Sequence, residues 1–125
     1  MQPKGFLIVA TDEDKNLTAT ETAASSSIAP LVAKSHEVAQ VLKLLSNQKR
    51  LLILCKLAEA SECSVTALGE AVDLGQSALS QHLARLRAQG LVGFRRQSQT
   101  IHYFIADAQL ERLLTALKQI YCPDI

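Results

Sequence analysis

From Leu31 onward the chain is a series of short hydrophobic patterns, each closed by a polar or glycine-containing break. Leu31, Ser35, Val38, Leu42 and Leu45 recur at steps of four and three, which predicts a helix with one narrow apolar seam. Ala29-Pro30 suits its start, because proline is tolerated in a first helical turn. "SNQKR" interrupts, and Ser46 or Asn47 is placed to cap a second helix from about Gln48 to Ala58. That segment, with "LLILCKL" at its centre, is apolar on most sides and predicts the buried middle of the core. "EASEC" reads as a short loop, and Ser64 as the cap of a third helix from Val65 to Ala71. "DLGQS" reads as a tight turn, with Gly75 free to take a positive φ and Ser77 placed to cap the next helix. A fourth helix, about Ser77 to Gln89, stops at Gly90.

The period then changes. Val92, Phe94 and Arg96 alternate with Gly93 and Arg95; beyond "QSQT", Ile101, Tyr103 and Ile105 alternate with His102 and Phe104. Two alternating runs around a polar turn predict a β-hairpin. Asp107 is placed to cap a last helix from Ala108 to about Tyr121, with an apolar stripe of Leu110, Leu113, Leu114, Leu117 and Ile120. Pro123 disfavours helical geometry at Cys122 and ends it. The predicted fold is mainly α with a small β-hairpin, in the order helix, helix, helix, helix, hairpin, helix, as one domain over residues 29–125. Residues 1–28 are rich in Thr, Ala, Ser and acids, with few large side chains to bury, and read as a flexible tail.

Composition changes this picture little, and distribution changes it more. A chain of 125 residues has room for a single modest core. Its 13 Lys plus Arg against 12 Asp plus Glu favour no class of partner. Between Leu74 and Ala106, however, no acid occurs, while Arg85, Arg87, Arg95 and Arg96 do. A local basic zone in a neutral chain fits a phosphate-binding surface, or more simply a solvated basic face. Three cysteines, Cys55, Cys63 and Cys122, do not make a secreted disulfide framework. "GFLIVA" is short for a signal segment, and no apolar run approaches the roughly 20 residues of a membrane span. The expectation is a soluble cytoplasmic protein with reduced thiols and no membrane partner. Without a Cys-x-x-Cys, a βαβ pattern or an acid–base constellation, an enzyme is not expected.

The third and fourth helices, joined by a glycine-containing turn, have the layout of a helix-turn-helix, whose second helix lies in the DNA major groove. Leu79, Leu83 and Leu86 share its core face. The opposite face carries Ser77, Gln81, Ala84 and Ala88, flanked by Ser80 and Arg85. Gln reads adenine and Arg reads guanine by paired hydrogen bonds. Gln76 and Ser77 lie near the helix N-terminus, where backbone N–H groups favour phosphate. His82 flanks the core side, placed for a structural or phosphate hydrogen bond. The hairpin becomes a wing, with Arg95 and Arg96 near its tip for phosphates or a minor groove.

With these residues in view, "SALSQHLARLRAQGLV" and the basic hairpin, together with "LSNQKRLLIL" upstream, resemble ArsR-type winged helix-turn-helix repressors over about Ala29 to Cys122. The resemblance implies a homodimer joined through its first and last helices. Such a dimer binds double-stranded operator DNA at imperfect palindromes and releases it when an inducer binds. The seams at Leu31–Leu45 and Leu110–Ile120 suit that interface and also suit packing within one protomer. Many relatives sense metals. One type uses a Cys-x-Cys at the start of the third helix, where this chain has Ser64 and Thr66 with Cys63 just before them. Another uses Asp-x-His and a further His on the last helix, where this chain reads Asp107, Ala108, Gln109 with no histidine after them. A lone thiol is a poor soft-metal site, so neither a metal nor a cofactor is expected.

"RLLILCKL" and "KQIYCP" resemble instead the persulfide-sensing branch of the family, the SqrR/BigR type. That resemblance makes Cys55 and Cys122 the redox-sensing pair, free thiols in the DNA-bound state and bridged by reactive sulfur species in the released one. On packing grounds alone Cys55 reads as a small apolar filler, free cysteine being among the most buried residue types. A peroxide, metal or haem input on the same scaffold is the alternative. Cys63, in the predicted loop, reads as an exposed bystander.

Overall fold

The computed structural model describes residues 27–124. The predicted tail, residues 1–28, lies outside them except for Ser27 and Ile28. The chain divides into two units between Val38 and Ala39. In the first, the single helix predicted from Pro30 is two: α1 (Ala29–Ala33) and α2 (Ser35–Leu45), whose C-terminal part belongs to the second unit. Lys34, at φ −104° and ψ 13°, leaves helical geometry between them. The seam's spacing carries over this break, which is why periodicity alone misses it.

The second unit begins its core at Leu45 and continues in α3 (Gln48–Ala60), opened by Asn47, whose side chain accepts the Arg50 N–H at 3.1 Å. Ile53, Leu54 and Leu57 are at most 1% exposed. Leu52, by contrast, is 40% exposed and Cys55 lies at the surface. The helix is therefore buried on one side and not, as its composition predicts, on most sides.

The predicted loop before α4 holds a short strand, β1 (Cys63–Ser64), which leaves Cys63 half-buried instead of exposed. Two residues carry no readable period, and the strand exists because a free hairpin edge offers N–H and C=O groups to pair with. Ser64 then caps α4 (Val65–Val72), accepting the Ala67 N–H at 3.1 Å. The positive φ expected at Gly75 falls on Asp73 instead (φ 56°, ψ 57°), an aspartate being one of the few side chains that tolerate it. Gly75 is extended (φ −70°, ψ 168°), and it, not Ser77, stands at the cap position of α5 (Gln76–Ala88).

Leu79, Leu83 and Leu86 of α5 are buried as predicted. The helix closes at Gly90 (φ 74°), where the Leu91 N–H donates back to the Leu86 carbonyl at 3.0 Å. The hairpin is β2 (Val92–Gln97) and β3 (Thr100–Ile105). The sheet is antiparallel, in the order β1-β3-β2, with Cys63 opposite Tyr103, Phe94 opposite Tyr103, Arg95 opposite His102 and Arg96 opposite Ile101. Asp107 caps α6 (Ala108–Tyr121) by accepting the Gln109 N–H at 2.9 Å. Leu110 and Leu114 anchor α6 in the core, Leu113 and Leu117 pack partly against it, and Ile120 is 68% exposed. The helix ends at Cys122, as expected from Pro123.

Candidate nucleic-acid interface and thiol pair

Burying Leu79, Leu83 and Leu86 turns the other side of α5 outward. Gln76, Ser77, Ser80, Gln81 and Arg85 are all exposed there, beside the small Ala84 and Ala88. No side chain caps the start of α5, so its first N–H groups are available to an anion. His82 is only half-exposed. Partial burial lowers its pKa, with further contributions from Arg50 of α3 and Arg85. Burial and the two arginines all favour its neutral form, which can give or take a hydrogen bond.

A cleft of about 670 Å³ runs between this end of α5, the α4–α5 turn and the wing tip; Thr66, Glu70, Asp73, Gln76, Gln99 and Thr100 line it. The wing is joined to α5 from behind, where the Arg87 guanidinium lies 4.8 Å over the Phe94 ring. Phe94 in turn packs on Tyr103, with centroids 5.5 Å apart.

The two wing arginines are not equivalent. Successive strand residues face opposite ways. Arg96 shares its face with Phe94 and buried Val92, and its cross-strand partner Ile101 lines the cleft beside Gln76. Arg95 faces away and is held by Glu62: Nε donates to Oε2 and a terminal guanidinium nitrogen to Oε1, both at 2.7 Å. Its other terminal nitrogen donates to Gln97 Oε1 at 3.0 Å, and His102 Nδ1 lies 4.0 Å from Glu62 Oε1. The Arg95 hydrogen bond keeps the Glu62 carboxyl below the usual range; desolvation opposes this, and the charges of Arg95 and His102 add to the lowering. Glu62 is not legible as part of this site from the sequence. The acid-free window begins twelve positions after it in the chain, whereas the fold brings it against the middle of that window.

The three cysteines are free thiols. Cys55 lies one turn after exposed Leu52 on the outer side of α3. Although the residue reaches the surface, its surroundings desolvate the sulfur and push the thiol pKa up. Cys122 is exposed at the end of α6, its N–H donating to the Lys118 carbonyl at 2.7 Å. Among the described residues, no three His, Cys, Asp or Glu side chains gather as a metal cluster, and no helix is long and apolar enough to cross a membrane.

Residues 47–93, from the cap of α3 to the start of the wing, match the family model described as "Bacterial regulatory protein, arsR family". The chain is 41% identical over 96 residues to the HTH-type transcriptional regulator YgaV of Escherichia coli, covering 77% of this chain and 97% of YgaV. Among solved structures it is similar to reduced HlyU from Vibrio cholerae (TM-score 0.68, 39% identity, 74% of this chain and 97% of that one). It is similar also to the transcriptional repressor BigR from Xylella fastidiosa (TM-score 0.72, 38% identity, 77% and 97%).

Proposed function

The chain belongs to the arsR family of bacterial regulatory proteins, winged helix-turn-helix transcriptional regulators and not enzymes, and from that premise we propose that it is a homodimeric, thiol-gated repressor. The reduced dimer occupies operator DNA in the cytoplasm, and reactive sulfur species release it by bridging Cys55 to Cys122. In DNA binding, α5 enters the major groove. Gln81 and Arg85 meet base edges, while Gln76, Ser77, Ser80 and His82 meet phosphate or the groove wall. Apolar residues are left exposed on the first helix, Leu31 and Val32, and separately on the last, Ile120 and Tyr121, and each pair is apolar area for a dimer to bury.

One observation carries the sensing half. Cys55 stands on the outer side of α3, so core packing does not account for a cysteine there. The chemistry balances without an external oxidant beyond the persulfide. One cysteine thiolate attacks the sulfane sulfur of RSSH, giving a cysteine persulfide and RS⁻. The second thiolate then attacks the inner sulfur of that persulfide, forming the disulfide and expelling HS⁻. Where both cysteines are first persulfidated, the terminal sulfur of one attacks the inner sulfur of the other, leaving a trisulfide and HS⁻.

The test uses DNA selected from a random pool by the reduced protein. Glutathione persulfide is expected to weaken binding. Intact mass should fall by two hydrogens, or change by that plus one sulfur per inserted atom, with the bridge mapped to Cys55 and Cys122. Cys55→Ser and Cys122→Ser should bind DNA and ignore the persulfide. A Cys55→Ser variant with the full inducer response, or release by peroxide but not by persulfide, would overturn the proposal.

A further inference from the structure

Two adjacent arginines at a wing tip look interchangeable in sequence, and the sheet separates them. Arg96 lies on the face turned toward the helices, opposite Ile101 at the cleft beside the start of α5. Arg95 lies on the other face, in line with His102 and Ser64 across the three strands. Glu62, two residues before Ser64, falls on that same face by the strand's period of two. It accepts both hydrogen bonds of the side-on edge of Arg95, from Nε and one terminal nitrogen at 2.7 Å, and Gln97 accepts one from the other terminal nitrogen at 3.0 Å. Three of the five guanidinium N–H donors are thereby engaged, and the side-on fork of Nε and one terminal nitrogen is filled by a carboxylate in place of a phosphate. The pair also spans the sheet, from the α3–β1 connection to the far strand. It thus fixes the free edge of the hairpin to the body of the domain.

We propose that Glu62 is a positioning residue for DNA binding: through Arg95 it sets the angle of the wing, and Arg96 is the wing cation that meets phosphate. The proposal rests on the DNA-binding function above. Arg95 is then a strut and leaves the count of phosphate contacts unchanged.

The experiment measures DNA affinity against salt for full-length wild type, Arg96→Gln, Arg95→Gln, Glu62→Gln and the charge-swapped double variant Glu62→Arg with Arg95→Glu. Each phosphate contact contributes about 0.9 to the slope of log K against log salt. Arg96→Gln is expected to reduce the slope by about that amount per wing. Arg95→Gln and Glu62→Gln should weaken binding with the slope unchanged. Comparisons are made at or above about 0.15 M salt, where charges beyond about 8 Å are screened. The swapped variant keeps the net charge and rebuilds the pair, so it should recover affinity; circular dichroism confirms that each variant is folded. The proposal is overturned when Arg95→Gln lowers the slope as Arg96→Gln does, or when the swap binds worse than either single variant. It is overturned equally when Glu62→Gln binds more tightly with a steeper slope, for then Glu62 merely withholds a phosphate ligand. A wild type that enriches no DNA from a random pool would sink the DNA-binding function itself, and the strut's role with it.

Discussion

Replacing Gly69 with alanine tests whether the helix-turn-helix angle is set by direct contact. Gly69 is buried within α4, and a Cβ built on it lies 3.0 Å from the Leu74 carbonyl oxygen and 3.4 Å from Leu79 Cδ2. The leucine side chain has room to turn. The carbonyl does not, because the Leu74 N–H donates to the Gly69 carbonyl at 2.9 Å and ties the turn to the very residue it would have to leave. Two effects oppose each other. Alanine is favoured over glycine in a helix by about 0.8–1.0 kcal/mol. Overpacking a close contact costs about 1–3 kcal/mol, and here it presses on hydrogen-bonded backbone, so the net is a loss of about 1 kcal/mol. For a domain of this size that lowers Tm by about 4–8 °C. Thermal melts at one fixed protein concentration read this directly, since the Tm of the proposed dimer would move with concentration. Leu74 also leads straight into Gly75 and the first turn of α5, so a displaced turn tilts the recognition helix. DNA affinity should therefore fall for every sequence at temperatures where the variant is fully folded. A variant that melts above wild type and binds DNA equally well would refute the reasoning, by showing that the turn yields freely.

Three further outcomes are expected. Asn47→Ala removes the side-chain acceptor of the Arg50 N–H and should cost about 1 kcal/mol in a urea titration, with an unchanged m-value. Alkylation of Cys55 by iodoacetamide should keep accelerating with pH beyond the point where free cysteine levels off, because burial holds its pKa above the ordinary value; a rate that levels off earlier would contradict this. The same shift means the folded state holds that proton more tightly than the unfolded chain, so stability declines as pH rises through the thiol's range. Gln81→Ala and Arg85→Ala should alter which bases are selected from a random DNA pool, each contact discriminating by about 1–3 kcal/mol, whereas loss of a phosphate contact weakens all sequences alike.

What the sequence makes legible is whatever depends on neighbours along the chain. Asn47, Ser64 and Asp107 are readable as caps because a cap needs only a short polar side chain and an N–H two or three residues on. Leu79, Leu83 and Leu86 are readable as a core face because helical spacing puts them together. The misses depend on what the hydrophobic period does not encode, and several on something distant. β1 exists through pairing with β3, about forty positions away in the chain, and no two-residue pattern announces it. The position of the positive φ depends on how α4 ends, and it went to Asp73 although glycine was two residues on. Leu52 and Cys55 look like core because their neighbours are, and only the packing of Ile53, Leu54 and Leu57 decides which side of α3 is outward. Likewise the basic zone is acid-free only in one dimension; Glu62 enters it from outside and takes Arg95.

The same asymmetry of α3 determines where a thiol bridge would act. Ile53, Leu54 and Leu57 pack in one cluster with Leu68, Leu79 and Leu83, so α3 and the helix-turn-helix share a core. Rotating α3 to carry Cys55 toward a partner thiol would draw those three side chains out of it, at about 1.5–3 kcal/mol each. The end of α6 has no comparable anchor. Leu110 and Leu114 hold its first half, while Ile120, Tyr121 and Cys122 are exposed. In the proposed switch the movement therefore falls on the last turn of α6, and Ile120 and Tyr121 travel with Cys122. Those are the apolar residues assigned to the dimer surface. Bridging then works on the contact between protomers, while each recognition helix stays rigid on its own core. Half-sites about 34–36 Å apart on DNA leave such a dimer little tolerance for a change in spacing.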